Sequence, residues 1–555
     1  MHRYCWLGLL LMLVAGSLRA AMVSPRPGEL LLATDAGLIR LNHGGAQAHG
    51  PLPPDLQTPL GSTWKLFVYL YLADRDLTPP DYRCQGQLAD EVFCCRPGES
   101  VGMDRALAQS CGLYFEPRRL GIDAARWRRY WRRQAPGQDW LAALERLGPD
   151  TPVPVASLMA ALAEAPAGAA QRARQALLEV TLDGRGAGAV RYFGSGLRVK
   201  TWTWDRTGHP GEKMGGVLGW LADGSVVWAA SIGPSTQLFT DWSALLGPLL
   251  LRPSHDELAA SCVQVRLFAR YPLLGISDEQ GRPPPPGPLQ GRYHLRFARG
   301  TALDISSQGE LELLEQGGRP QLLGHFDLDD YVARVLDREG AAQPLEAARA
   351  LAVVARTYVL QNAAHAGGCY LIDDSSSLQR VAARPPTAAA VAVARWSEGL
   401  IIVGAAVRYH GELAAPGVLS WAGAQQQAAA GRHFDEILAE TFAGSHLASL
   451  YLPDDTACAP LPAAEDWLRA QIPGWSRQLA GEDGFEAPPL PVVCYEPWGR
   501  PQVDVPRRRI FVHGLRDQED RISLTHEWLH LAFAFHPRGR DEFYIEDMAR
   551  RLNGL

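Results

Sequence analysis

The residues best arranged for chemistry lie near the C-terminus, where Thr525-His526-Glu527-Trp528-Leu529-His530 reads H-E-x-x-H. Side chains four apart on a helix share a face. His526 and His530 would therefore turn two imidazoles towards one point, with Glu527 beside them. The flanking Leu524, Leu531, Ala532 and Phe533 are apolar, as a buried helix requires. Imidazole nitrogen suits Zn2+, and a catalytic zinc takes three protein ligands and a water. Glu527 would take that water's proton, so hydrolysis is the expected reaction.

The motif alone leaves the third ligand open. His536 follows His530 by six residues and gives H-E-x-x-H-x-x-F-x-x-H. This spacing resembles the metzincin pattern, with Phe533 where that family has a glycine. On a continued helix His536 would point off the ligand face, at about 100° per residue, and Pro537 predicts a break just after it. Residues 541–552 predict a second helix with Glu542 and Glu546 on one face. The motif also resembles that of thermolysin-like zinc peptidases, which implies a glutamate on a following helix as the completing ligand. The order of preference is Glu546, His536, Glu542.

A second constellation is Ser62-Thr63-Trp64-Lys65, an S-x-x-K ahead of the apolar run 66–72. One helical turn brings the amine near the hydroxyl, and an amine of lowered pKa can take the hydroxyl proton. Of 54 basic residues only three are lysine: Lys65, Lys200 and Lys213. Arginine stays protonated, whereas a buried lysine can act as a base. Lys213 is assigned to a solvated loop. Ser110-Cys111-Gly112 and Lys200-Thr201-Trp202 follow in order. The three segments resemble the S-x-x-K, S-x-N and K-T-G motifs of penicillin-binding transpeptidases and class D β-lactamases. The resemblance implies a serine acyl-enzyme built from Ser62, Lys65, Ser110 and Lys200. Two departures oppose it: Gly112 has no amide, and Trp202 replaces the glycine that lets substrate lie along the strand. The run 126–133 alternates arginine with Trp127, Tyr130 and Trp131, which predicts a solvated helix face with its aromatics turned inward.

Residues 263–268, 293–297 and 310–314 read as strands, and 283–286 as a surface loop. Beyond them, residues 331–340 and 344–358 and then Ser376-Ser377-Leu378-Gln379 carry a tyrosine-led helix, a glutamate, an A-R-T-Y helix and S-x-x-Q. This order resembles the SpoIID/LytB family, which acts on peptidoglycan glycan strands. The resemblance implies that Glu339 is a lytic acid/base, a role that a carboxyl of raised pKa can fill. Gly340 stands where that family has methionine. Cys369 lies near His365, and a disulfide is expected for it rather than a metal.

The elements that must position these groups need several domains, because 555 residues exceed one ordinary core. A multidomain α+β chain is expected. Residues 1–21 read as a signal peptide, with a basic start, a short apolar run and small residues at the end. Residues 22–251 form the β-lactamase/transpeptidase-like domain and 253–432 the SpoIID-like mixed domain. Residues 433–555 form a small α+β zincin-like domain, with a strand at 509–513 ahead of the motif helix. Removal of Cys5 leaves eight cysteines, an even number that suits disulfides in an exported protein. Cys84 with Cys94 or Cys95, and Cys458 with Cys494, are the expected local pairs. A net charge of −6 without a dominant basic run gives no reason to expect a nucleic-acid partner. No stretch after the leader is apolar enough to anchor the chain in a membrane.

The whole chain also resembles a family of predicted secreted bacterial proteins, a resemblance that supplies no reaction. The expectation is a periplasmic or secreted zinc-dependent hydrolase, a peptidase, with peptidoglycan or envelope proteins as partners. The alternatives are a non-catalytic peptidoglycan-binding scaffold of degenerate domains, or a serine acyl-enzyme at Ser62.

Overall fold

The computed structural model describes residues 25–555 apart from 183–187, 207, 208, 210, 252–261, 299, 367, 414, 416, 444, 453–457, 489, 497–499, 506, 507 and 535. The signal peptide and Cys5 lie outside the described residues.

The first domain is built on strands β1 (Glu29–Thr34), β2 (Gly37–Asn42), β3 (Gly45–Gly50), β4 (Leu197–Asp205), β5 (Lys213–Leu221) and β6 (Val226–Ile232). They form one sheet in the order β3-β2-β1-β6-β5-β4. Helices α1 (Trp64–Asp74), α2 (Ala124–Gln134), α3 (Ala167–Leu182) and α4 (Ser235–Leu250) are the domain's longest among the described residues. Successive strand residues face opposite sides, and the run Leu30 to Ala33 shows the consequence. Leu31 and Ala33 join the core that holds α1 and α2, while Leu30 and Leu32 join the core under α4. A central strand covered on both faces has to be apolar throughout, and this one is. On α2, Trp127, Tyr130 and Trp131 are buried and the arginines between them are exposed, as the alternation predicts. Lys213 opens strand β5 instead of lying in a loop; it is exposed and paired with Asp205 at 2.7 Å.

The second domain carries β7 (Cys262–Leu267), β8 (Leu273–Asp278), β9 (Gly287–Phe297), β10 (Ala302–Gln316), β11 (Arg319–Asp327), β12 (Ala364–Ala366) and β13 (Cys369–Asp373) in the order β8-β9-β10-β11-β7-β13-β12. Residues 283–286 lie between β8 and β9 as a connection. Helices α5 (Leu328–Glu339) and α6 (Leu345–Asn362) pack on this sheet. The arginine of the A-R-T-Y helix, Arg356, is fully buried. It pairs with Asp329 at 2.6 Å and donates to the carbonyls of Ser397 and Ala394 at 2.7 and 3.0 Å. A buried cation persists when it is paired and hydrogen-bonded in this way.

The boundary expected at His433 lies further along the chain. Helix α7 (Phe434–Thr441) buries Phe434, Ile437 and Leu438 in the second domain's core. Strand β15 (His446–Ser449) then pairs with β14 (Leu400–Val403) of the same domain. The third core starts at Ala464. That domain holds the sheet β16 (Ala459–Pro460), β17 (Val492–Tyr495), β18 (Gln502–Asp504) and β19 (Arg509–Val512), ordered β16-β17-β19-β18. Against it lie α8 (Pro462–Leu479), α9 (Gln518–Ala532) and α10 (Glu542–Leu552).

Four disulfides join Cys84–Cys95, Cys94–Cys111, Cys262–Cys369 and Cys458–Cys494. The structure thus selects Cys95 as the partner of Cys84 and gives Cys94 to Cys111.

Candidate functional site

Asp517 caps α9, its side chain accepting from the Asp520 amide. Trp528, Leu529 and Ile522 bury one face of the helix in the third core. The opposite face turns His526 and His530 to the entrance, with ring centroids 4.9 Å apart. Asp541 caps α10, whose first turn brings Glu542 over both rings. His526 Nε2 lies 3.2 Å from Glu542 Oε2, and His530 Nε2 lies 3.7 Å from Glu542 Oε1.

One donor atom each from His526, His530 and Glu542 falls within 4.8 Å of the others. Tetrahedral zinc at bond lengths of about 2.0–2.1 Å needs donors about 3.3 Å apart, so the three donors lie in reach of one ion but are spread wider than a filled site. The second nitrogen of each ring is also committed. His526 Nδ1 donates to Glu546 Oε2 at 3.0 Å, and His530 Nδ1 donates to the Gly539 carbonyl at 2.7 Å. Such partners fix the tautomer that leaves Nε2 free to bind a metal.

The carboxylate in this donor set among the described residues is Glu542, and not Glu546, which the sequence preferred. Glu546 stands one turn further along α10, on the far nitrogen of His526, and its other oxygen meets Arg550 Nε at 2.7 Å. His536 is also excluded from the donor set. The helix stops at Ala532, before His536 rather than after it, and His536 instead caps the short turn Pro537–Arg540. Its ring sits over Gly484, where a Cβ would meet His536 Cγ at 2.2 Å, and its Nε2 faces Asp483 at 3.5 Å. Gly539 is the residue the sequence reading missed. A Cβ there would strike the Phe533 carbonyl at 2.2 Å, so only glycine lets this turn close on His530. Its sole signal in the sequence is a glycine two residues beyond a proline.

Glu527 is buried beside the pair. Loss of solvent, and then the nearby charge of Glu542, push its carboxyl up to about 8. Burial pulls the His530 imidazole below its ordinary value.

These groups open into a cavity of about 680 Å3 whose walls come from two domains. Residues 86–97 of the first domain face α9, α10 and the region of β18. Contacts at this junction include Arg540 Nη2 donating to the Ala89 carbonyl and the Arg96 guanidinium 4.8 Å above the Phe511 ring.

In the first domain, Ser62 lies in the turn Gly61–Thr63 that leads into α1, and Lys65 is on the first turn of that helix. Lys65 Nζ lies 3.3 Å from Ser62 Oγ, 3.1 Å from Ser110 Oγ and 2.7 Å from the Ser110 carbonyl. Ser110 holds a left-handed backbone at the end of its helix, φ 68°. The hydroxyl and amine groups expected together are thus together. Lys200 is fully buried on β4 and donates to the Thr201 carbonyl at 2.9 Å.

The glycine substitution is filled, not open. Trp202 is fully buried, with Gly216 opposite it in the sheet register. A Cβ on Gly216 would come within 2.5 Å of the indole, and one on Gly61 within 3.0 Å of Trp202 Cβ. The indole therefore occupies the space beside the Ser62 turn along the β4 edge.

In the second domain, Glu339 ends α5 and accepts the Arg380 amide at 2.8 Å. Burial, with Asp374 adding to it against Arg338 and His410, raises its carboxyl to about 7. Gln379 of the S-x-x-Q segment is held by Tyr331 OH and donates to the Ala355 carbonyl at 3.2 Å. The Gly340 departure has a cause: a Cβ there would meet Leu351 at 2.6 Å and Trp421 at 3.3 Å.

Comparison with known proteins adds three findings. The family described as predicted secreted protein (DUF2300) matches residues 86–211 and 417–538, and the stage II sporulation protein family matches 316–394, which includes Glu339 and the A-R-T-Y helix. A protein of Escherichia coli strain K12, "Uncharacterized protein YfaQ", is 42% identical over 517 residues, 93% of each chain. Among solved structures, the class D β-lactamase of Sebaldella termitidis covers 40% of this chain and 92% of its own at 13% identity and TM-score 0.27. The penicillin-binding protein PonA1 of Mycobacterium tuberculosis covers 47% and 82% at 14% identity and TM-score 0.30. The secreted family and four disulfides agree with a periplasmic or secreted location. No helix among the described residues is long and apolar enough to cross a membrane.

Proposed function

The chain belongs to one family with Escherichia coli YfaQ and matches the predicted secreted protein family over two segments, and from this premise we propose an exported zinc-dependent hydrolase of the cell envelope. It is a peptidase acting on or near peptidoglycan. The observation that carries the reading is the convergence of His526, His530 and Glu542, each ring oriented from behind by its own partner. The match to the stage II sporulation family supports the envelope setting.

Zinc bound at these donors would supply Lewis acidity that lowers the pKa of a water to about 7. The protein's own part is positional. Glu546 and Gly539 hold the rings, and α10 supplies the carboxylate. Glu527 takes the proton of the attacking water and returns it to the leaving amine. Positive charge at the donors favours the ionised form of Glu527, the form a base requires.

Trp202 favours a different role for the first domain. With its indole in the substrate groove, that domain serves as a non-catalytic wall of the cleft, not as a serine acyl-enzyme at Ser62. Metal analysis of the purified chain and of His526→Ala tests the main reading. One zinc per chain, lost in the variant together with peptide hydrolysis, is the expected result. A metal-free protein of unchanged stability would leave only the peptidoglycan-binding scaffold.

A further inference from the structure

We propose that the cleft beside the metal donors selects a peptide bearing carboxylates, held by Arg500 and Arg540 where the first and third domains meet. The proposal rests on the hydrolase reading of this cleft and names its substrate class. The cavity, about 680 Å3, is in the range that encloses a ligand of a few residues. Leu88 and Val92 from one domain and Val503 and Val505 from the other give it apolar walls.

Four glutamates and three arginines line it, and the groups differ in how far they are paired. Each acid on its surface is already engaged. Glu91 accepts the Gln85 and Gln87 amides and the Tyr82 hydroxyl at 3.0, 2.9 and 2.8 Å. Glu546 is divided between His526 and Arg550. Glu542 belongs to the histidine pair, and Glu527 is kept for the proton. Of the cations, Arg96 is met by Glu99 at 3.0 Å.

Arg500 and Arg540 are different. Both line the cavity and both are exposed, and neither has an ion pair among the described residues. Arg540 gives one Nη2 proton to the neutral Ala89 carbonyl, which aims the guanidinium without cancelling its charge. Guanidinium forks match carboxylates in a two-point geometry. A divalent ion at the nearby donors would make the cleft more cationic. A neutral or basic peptide would leave both forks uncompensated, whereas an acidic one pairs with them.

The test uses the full chain carrying Glu527→Gln, so that the probe survives, with zinc added. Two dansylated tetrapeptides are compared by fluorescence anisotropy: Ala-Glu-Ala-Ala with a free C-terminus, and Ala-Gln-Ala-Ala amide. The acidic form is expected to bind about tenfold or more tightly, a difference of about 1.4 kcal/mol. Arg500→Glu should erase the preference and leave zinc content unchanged. Arg540→Ala should weaken it too, but that change also touches the domain junction, so exposed Arg500 decides. Equal affinity for the two peptides, or a preference intact in Arg500→Glu, overturns the proposal. Repeating the titration with His526→Ala separates the two readings. A charge preference in a chain that never binds zinc keeps this proposal and removes the hydrolase. Zinc binding without a charge preference does the reverse.

Discussion

His526 Nδ1 lies 3.0 Å from Glu546 Oε2, on the opposite side of the ring from the nitrogen that faces Glu542. One helix, α10, thus supplies both a carboxylate facing the two rings and the carboxylate behind one of them, from positions four apart. A face-sharing pair on a helix makes this division of labour possible.

The two glutamates should therefore differ in effect. Glu542→Ala and His526→Ala are expected to abolish stoichiometric zinc. Glu546→Ala should lower zinc affinity by about 10–100-fold, the usual loss for a ligand's hydrogen-bonding partner. His536→Ala should leave affinity unchanged. Competition against a chromogenic chelator measures all four, and loss of zinc in His536→Ala with retention in Glu542→Ala would reverse the assignment.

Glu527→Gln should keep its zinc and lose hydrolysis by about 10²–10⁴-fold, the contribution of a placed proton acceptor. Amine release from a stem peptide, read beside metal content, checks this. Full activity in the variant would remove Glu527 from the reaction.

The wild-type chain should not be labelled by fluorescent penicillin, because Trp202 fills the strand edge beside Ser62. Labelling that disappears in Ser62→Ala would show an open acyl-enzyme site. Trp202→Ala should cost about 3–5 kcal/mol of stability, as large-to-small changes of buried aromatics do, and urea unfolding measures it.

Glu339 should make stability depend on pH. Burial raises its carboxyl from 4.5 to about 7, so the folded chain favours the protonated form. That contribution is fully present below about pH 4.5 and is lost as the pH rises through about 7. Relative to Glu339→Gln, the wild-type urea midpoint should fall between about pH 5 and pH 8. Parallel profiles for the two proteins would show that the pocket does not favour the proton. Any glycan cleavage for which Glu339 is the acid should decline above about pH 7.

The sequence by itself determined the local chemistry. H-E-x-x-H placed two rings and an acid on one helix face because helical periodicity is a short-range property. S-x-x-K brought Lys65 to Ser62 for the same reason, and the alternation in residues 126–133 told which side of α2 is buried. Even Glu542 and Glu546 were legible as a pair. What periodicity could not tell was which of them faces the Nε2 atoms of both rings, because one helical turn of offset depends on how α10 docks. That docking includes the close approach of Gly539 to the Phe533 carbonyl, a contact between backbones that no side-chain pattern records, beside the burial of Ile545, Met548 and Ala549. The tertiary structure alone decided the rest. It carried α7 into the second core, past the boundary that motif positions suggested. It put the Trp202 indole into space that glycine leaves open elsewhere. It brought residues 86–97 to His526 and Glu542, which are more than four hundred positions away. Contacts at that separation follow from domain packing, which depends on the shape of whole surfaces rather than on the spacing of residues along the chain.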